Sequence, residues 1–233
     1  MNRLFVLALA AGSLATPALA QVTGATLELG HSFFTEDDSI AKTTLGGSAE
    51  FGFNSRFGVQ GDLGYSRLNA IDDSSIALAG HGLFYVNQQV TLGGFYGVED
   101  VRGESTDYYG FEVGQKSDRF NVQAYVGRAE SSGLTGSMMG VEGNFALQGG
   151  FGLGGKVQHL DIEGLDATRL GVTGQYGFAN GLAVTAEVGT VTSDDLGLDG
   201  VEPYIGIGAR FDLGSTRGTT FNRRSILSVA AGQ

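Results

Sequence analysis

Histidine, the residue type whose unperturbed pKa lies nearest neutral pH, occurs only at His31, His81 and His159, and there is no cysteine. A nucleophilic hydrolase would therefore need Ser or Thr beside one of these histidines and a third group to orient the ring. "GHSFF" around His31 and "QHLDIEG" after His159 supply no recognisable partner, and a structural or interfacial histidine is the better reading. Acidic pairs at Asp37-Asp38, Asp72-Asp73 and Asp194-Asp195 have the chemistry to hold divalent cations. Calcium needs roughly six to eight oxygens converging on one point, and no EF-hand or Gly-Gly-x-Gly-x-Asp spacing provides them, so solvated loop charge is favoured. No catalytic, cofactor or metal site is assigned. What remains is a long series of charged residues at alternating positions: Glu28, Glu50, Asp62, Glu99, Glu112, Lys116, Glu142, Lys156, Arg169, Glu187 and Arg210, joined by Gln60, Gln123, Asn144, Gln158 and Gln175. Their chemistry is that of a polar surface that attracts water and ions, and the question is which elements present it.

The N-terminus "MNRLFVLALAAGSLATPALAQ" has Arg3, an apolar run from Leu4 to Leu14, and Ala18-Leu19-Ala20 before Gln21. That order reads as a secretory signal peptide over residues 1–20, too short in its apolar core to span a bilayer. Residue 21 onward then carries 13 basic against 25 acidic residues, a net charge of −12. Such a balance argues against nucleic acid as a partner, since phosphates require a basic surface. Without cysteine there are also no disulfides, so an exported chain must be held together by other means.

Glycine is abundant, with 40 residues, while proline after the signal peptide occurs only at Pro203. The glycines alternate with aromatic and β-branched residues, which is a strand pattern rather than low complexity. Read with a period of two, the chain breaks into runs separated by turn residues. Short breaks fall at "NSR" 54–56, "NQQ" 87–89, "KSDR" 116–119, "LQGG" 147–150 and "ANG" 179–181. Longer, acidic breaks fall at 35–42, 68–74, 102–106, 130–137, 163–168 and 192–200. Five short connections alternating with six longer ones join twelve strands of about ten residues, the length a tilted strand needs to cross a bilayer core. The expected fold is all-β, a single closed antiparallel up-and-down transmembrane barrel over residues 21–213, with 214–233 as a C-terminal tail.

Each hairpin has one apolar face, for example Phe51, Phe53, Phe57, Val59 and Leu63, and one face carrying the polar series. The chain is only 17% charged, and most of that charge lies in the longer breaks, which is too little for strands whose polar face is the outer surface of a soluble protein. Phe51, Phe53, Phe57, Phe84, Tyr85, Phe120, Phe145, Phe151, Tyr176 and Phe178 gather near the short turns; Phe33, Tyr65, Tyr96, Tyr108, Tyr109 and Tyr204 gather near the longer breaks. Two aromatic belts around a band of Leu, Val, Ala and Gly are what two membrane interfaces select. The apolar face therefore meets lipid, and the polar series lines the lumen.

On these residues the chain resembles the outer-membrane β-barrel proteins of Gram-negative bacteria. The last strand, "YIGIGARF" at 204–211, is similar to that family's C-terminal assembly signal, with Tyr204, Gly206, Ala209 and Phe211 in the signal positions. The resemblance implies insertion by the outer-membrane assembly machinery, contact with outer-membrane lipid and lipopolysaccharide, and both termini in the periplasm. In most members the final Phe ends the chain. Here residues 212–233 follow, basic at Arg217, Arg223 and Arg224, as a periplasmic extension or a segment entering the lumen.

Twelve strands lie between the filled eight-stranded barrels and the open sixteen-stranded porins. Inward glycines such as Gly46, Gly64, Gly93, Gly97, Gly110, Gly114 and Gly171 would leave room for water, or would be offset by inward aromatics such as Phe95 and Tyr125. The reading taken is a porin-like passive channel for small hydrophilic solutes, weakly cation-selective. The alternatives are a structural or adhesive barrel acting through acidic external loops, and a lipid-modifying enzyme. For the last, the outer-membrane phospholipases' His-x-Ser-Asn-Gly stretch is absent after His159, where Leu160 and Asp161 follow.

Overall fold

In the computed structural model, residues 21–69, 72–162, 165–193, 200–213 and 219–229 are described. The signal peptide, the Asp194-Asp195 pair and Arg217 lie outside them. The strands are β1 Gln21–Phe34, β2 Ala41–Gly52, β3 Phe57–Leu68, β4 Asp73–Tyr85, β5 Val90–Val101, β6 Glu104–Lys116, β7 Phe120–Ser131, β8 Leu134–Ala146, β9 Phe151–Ile162, β10 Leu165–Gly177, β11 Leu182–Ser193 and β12 Gly200–Leu213. Each pairs antiparallel with its sequence neighbour, and β12 pairs with β1 from Ala25↔Leu213 to Phe34↔Tyr204. The result is a closed twelve-stranded barrel with no free edge. Closure leaves every strand hydrogen-bonded on both sides, which is what a sheet inside lipid requires.

Three of the five short turns share one device. Asn54 Oδ1 accepts from the amides of Arg56 and Phe57 at 2.8 and 3.0 Å, and Asn87 Oδ1 accepts from Gln89 and Val90, both at 2.8 Å. Ser117 repeats it with Arg119 and Phe120. Side-chain acceptors of this type fold the chain back within a few residues. At the opposite end the expected length difference is only partly present. Two of the six "longer" connections, β5–β6 and β7–β8, are two-residue turns, because those strands extend through the acidic stretches. Arg102 and Gly103 have φ of 58° and 81°, and Ser132 and Gly133 have 49° and 87°, the two consecutive positive values that a type I′ hairpin requires. Charge marked these segments as loops from sequence, but their alternation continued into strand that stands clear of the bilayer.

Apolar residues cover the outside: Leu27, Leu45, Phe57, Leu63, Phe111, Val122, Val141, Leu153, Leu170, Val188 and Ile207 are all exposed, Phe111 at 76%. Only lipid can cover such a band without the cost of an extended apolar patch in water. Outward aromatics lie at both rims, Phe51, Phe57, Phe84, Phe120, Phe151 and Tyr176 at the short turns and Tyr65, Tyr96 and Tyr109 at the other end. Three residues expected in these belts point inward instead. Tyr108 and Tyr204 are fully buried, and the Tyr85 hydroxyl donates to Glu50 at 2.8 Å. Parity places all three on the inner face; their aromatic type alone suggested the interface.

The interior holds a packed core rather than an open bore. Phe95, Tyr108, Tyr125, Met138 and Leu160 form a buried cluster with Ile226 and Val229 of the tail. Residues 219–229 enter beside Thr26 and Glu50 near the short-turn end and rise to Lys42, close to the start of β2. The segment closes in a single 3₁₀ turn, Ile226–Ser228, whose preceding Ser225 Oγ accepts from Leu227 N at 3.1 Å.

Candidate functional site

The inner wall meets the tail level by level. Nearest the short turns, Glu50 accepts from Thr23 Oγ1 at 2.9 Å, Tyr85 OH at 2.8 Å and Thr220 N at 2.7 Å. Gln60 grips Phe221 at both backbone groups, accepting from its N–H at 3.1 Å and donating to its carbonyl at 2.9 Å. Above this, His81 stands between two carboxylates, Nε2 2.9 Å from Asp62 and Nδ1 2.6 Å from Glu112, with its ring stacked on Phe221. The imidazolium form satisfies both carboxylates with donated hydrogen bonds.

Arg224 occupies the middle of the barrel. Its guanidinium reaches Glu112 at 3.1 Å, Glu142 at 3.2 Å and Gln123 at 2.9 Å and lies over the Tyr125 ring, 4.2 Å from the centroid. Charge-assisted bonds are shorter and stronger than neutral ones, and removing one partner of such a buried pair leaves the other charge uncompensated. Glu99, fully buried, accepts from Ser75 Oγ, Ser225 Oγ and Ile226 N. At the upper end Lys42 Nζ donates to Leu227 O at 2.6 Å, and Arg169 Nη1 donates to Ser228 O at 2.8 Å. Arg169 also pairs with Glu187 and donates to Tyr204 OH, while Lys156 holds Glu187 at 2.9 Å.

The residues predicted from parity therefore sit as follows. Glu50, Glu99, Glu112, Glu142, Lys156, Arg169 and Glu187 bond to one another or to the tail as above, and Asp62 bonds to His81 and Gln60. Arg210 bridges Glu28 at 3.1 Å and Asp212 at 2.9 Å, and Lys116 stands at the short-turn mouth. Of the residues taken as the assembly signal, all on the seam strand β12, Tyr204 and Gly206 are buried while Ala209 and Phe211 face β1 partners Leu29 and Leu27. Sequence reasoning missed Lys42, His81, Tyr108 and Arg224 as wall or tail contacts. Parity alone would have found His81 and Tyr108, since each alternates with an exposed neighbour.

The inward glycines are where the sequence reading most needs correcting. A Cβ on Gly46 or Gly64 would collide with the Arg223 guanidinium, and one on Gly93 or Gly114 would press on the Phe221 ring. At Gly97 it would strike Tyr108, and at Gly171 Tyr204 and Glu187. The space those glycines leave is filled by side chains, four positions of it by the tail.

Two polar cavities persist beside the tail. One, of about 200 Å³, is bounded by Glu28, Glu142, Asn144, Lys156, Gln175, Arg210 and the tail's Asn222 and Arg223. The other, of about 470 Å³, opens between the short turns among Asn54, Arg56, Gln88, Lys116 and Thr220. Asn121 lines both. On the outer face, His159 Nδ1 lies 2.9 Å from Thr168 Oγ1 and 3.7 Å from Asp166. A nucleophile and an orienting acid must address opposite ring nitrogens, so this trio is not arranged as a triad.

No family model matches the sequence, and no curated relative does. Solved structures do match in fold. The KdgM porin superposes with a TM-score of 0.61 at 10% identity, over 81% of this chain and 99% of that one, and has also been solved in complex with disordered oligogalacturonate. The NanC porin superposes with a TM-score of 0.66 at 11% identity, over 80% and 100%. An outer membrane channel from Pseudomonas putida F1 gives 0.55 at 10%, over 85% and 98%. The chain shares the closed antiparallel β-barrel fold of these porins.

Proposed function

We propose that the barrel is an outer-membrane channel for small hydrophilic solutes with a weak preference for cations. The observation that carries this reading is the pair of cavities that the polar part of the inner wall leaves beside the tail, both lined by Asn121. Carboxylates outnumber cations on that wall, and rings of carboxylate raise the local cation concentration. A polyanion such as the oligogalacturonate of the KdgM complex suits this charge poorly, so small neutral or cationic solutes are the favoured class. The test is conductance of the purified barrel in a planar bilayer, followed by the reversal potential under a KCl gradient. Discrete conductance steps with cation preference support the channel.

A second reading is favoured by one observation, the packed core of the upper lumen with Ile226 and Val229. A barrel filled in this way acts as a structural or adhesive body through its outer loops. Absence of any conductance, with the barrel folded, would select it.

A further inference from the structure

We infer that the lumen is a binding site for an extended, doubly basic peptide strand, and that residues 219–229 are its resident occupant, a releasable plug. The inference deepens the channel reading and rests on it for the consequence of release, though not for the site itself.

Three independent features of the wall point to peptide recognition. The first is backbone readout. Tail amides of Thr220, Phe221, Asn222 and Ile226 donate to Glu50, Gln60, Gln123 and Glu99. Tail carbonyls of Phe221, Arg224, Leu227 and Ser228 accept from Gln60, Tyr108, Lys42 and Arg169. Every one of these wall partners is a side chain, so the tail takes nothing from the strand ladders, which close without it. The second is shape. Gly46 and Gly64 leave the slot for Arg223, and Gly93 and Gly114 the slot for Phe221. The third is charge, because Arg224 neutralises Glu112 and Glu142 at once. A wall that reads backbone, accommodates a ring and pairs a guanidinium is built for a peptide of the sequence Phe-Asn-Arg-Arg.

Because the occupant is held by side chains alone, weakening its charged anchors loosens it without opening the barrel seam. The full chain carrying Arg223→Ala and Arg224→Ala is expected to conduct several-fold more than the parent in planar bilayers. A synthetic peptide of residues 219–229, added from the short-turn side, then blocks the variant. The same peptide with both arginines replaced by alanine should block about tenfold less well, as expected for loss of charge-assisted bonds. Equal, non-zero conductance of parent and variant, or indifference of a conducting variant to the peptide, overturns the proposal.

A second measurement serves if that variant does not fold. The chain has no cysteine, so Ser225→Cys in the otherwise native protein is a single reporter at a buried position. Its reaction with a charged thiol reagent should be slow and should accelerate when the 219–229 peptide competes for the site. A rate independent of peptide overturns the plug. Silence of both parent and variant in the bilayer, with peptide-accelerated labelling, removes the channel reading and supports the peptide site.

Discussion

Arg224 shows how a single tail residue ties the lumen together. It is buried against Glu112, Glu142 and Gln123, and Glu112 also faces His81. Removing one member of such a buried pair typically costs roughly 3–5 kcal/mol because the partner stays behind uncompensated. Glu112→Gln combined with Glu142→Gln should therefore lower the temperature at which the barrel loses its compact mobility on a gel, and should also reduce cation preference. Unchanged values of both would mean that Arg224 does not depend on these carboxylates. The two faces of one strand make a second comparison. Val122 points to lipid and is exposed, whereas Asn121 lines both cavities. Arginine at mid-membrane on the lipid face costs roughly 2–4 kcal/mol and less toward the interfaces, so Val122→Arg should impair assembly more than Asn121→Arg, and Val126→Arg, midway along β7 and exposed, should impair it most, measured as the folded fraction in membranes. Gln123 is a poor control because it already holds Arg224 and Asn222.

Among the elements, the hairpins were the most legible, because the signal is local. Asn54, Asn87 and Ser117 bond amides two or three residues on, and the strands between them alternate without interruption. The upper connections were less legible, since acidic residues are equally at home in loops and on strand that stands in water. Among the upper connections, only those after β1, β3 and β11 leave more than two residues between the strand ends. Orientation therefore rests less on loop length than on closure and on the start of β1 and the end of β12 lying at the short-turn side, where Gln21 pairs with Gly52 and Ala25 with Leu213. Single cysteines test it directly. Glu36→Cys, in the exposed segment after β1, should react with an impermeant maleimide on intact cells, while Gln88→Cys in a short turn should not; the reverse pattern would invert the barrel in the membrane. The tail was the least legible element. Its eleven described residues lack period-two or helical patterning, and what places them is a long-range match between Phe221, Arg223 and Arg224 and glycines and carboxylates on several strands.

For the whole molecule, the charge inside depends on whether the tail is counted. Parity gave Glu28, Glu50, Asp62, Glu99, Glu112, Glu142 and Glu187 against Lys116, Lys156, Arg169 and Arg210. The structure adds Asp212, bonded to Arg210, and Lys42, bonded to Leu227 O. Leaving His81 aside, these eight wall carboxylates face five wall cations, an excess of three. Arg223 and Arg224 bring the cations to seven and leave an excess of one. The seated tail thus cancels most of the field that would draw cations in. Selectivity should be weak in the parent and distinctly stronger in the Arg223→Ala, Arg224→Ala variant, with the difference read as a larger reversal potential under the same KCl gradient. Screening sets the salt dependence: the Debye length falls from about 10 Å at 0.1 M to about 3 Å at 1 M. Charges facing hydrated cavity, such as Glu28 and Glu142, lose influence across that range, whereas Glu99, sealed against Ser225 and Ile226, is shielded from salt while the tail is seated. The variant should accordingly show the steeper decline of selectivity with ionic strength. Anion preference in the variant would refute the lumen charge assignment, and identical reversal potentials in parent and variant would mean that the tail arginines do not lie in the conducting path.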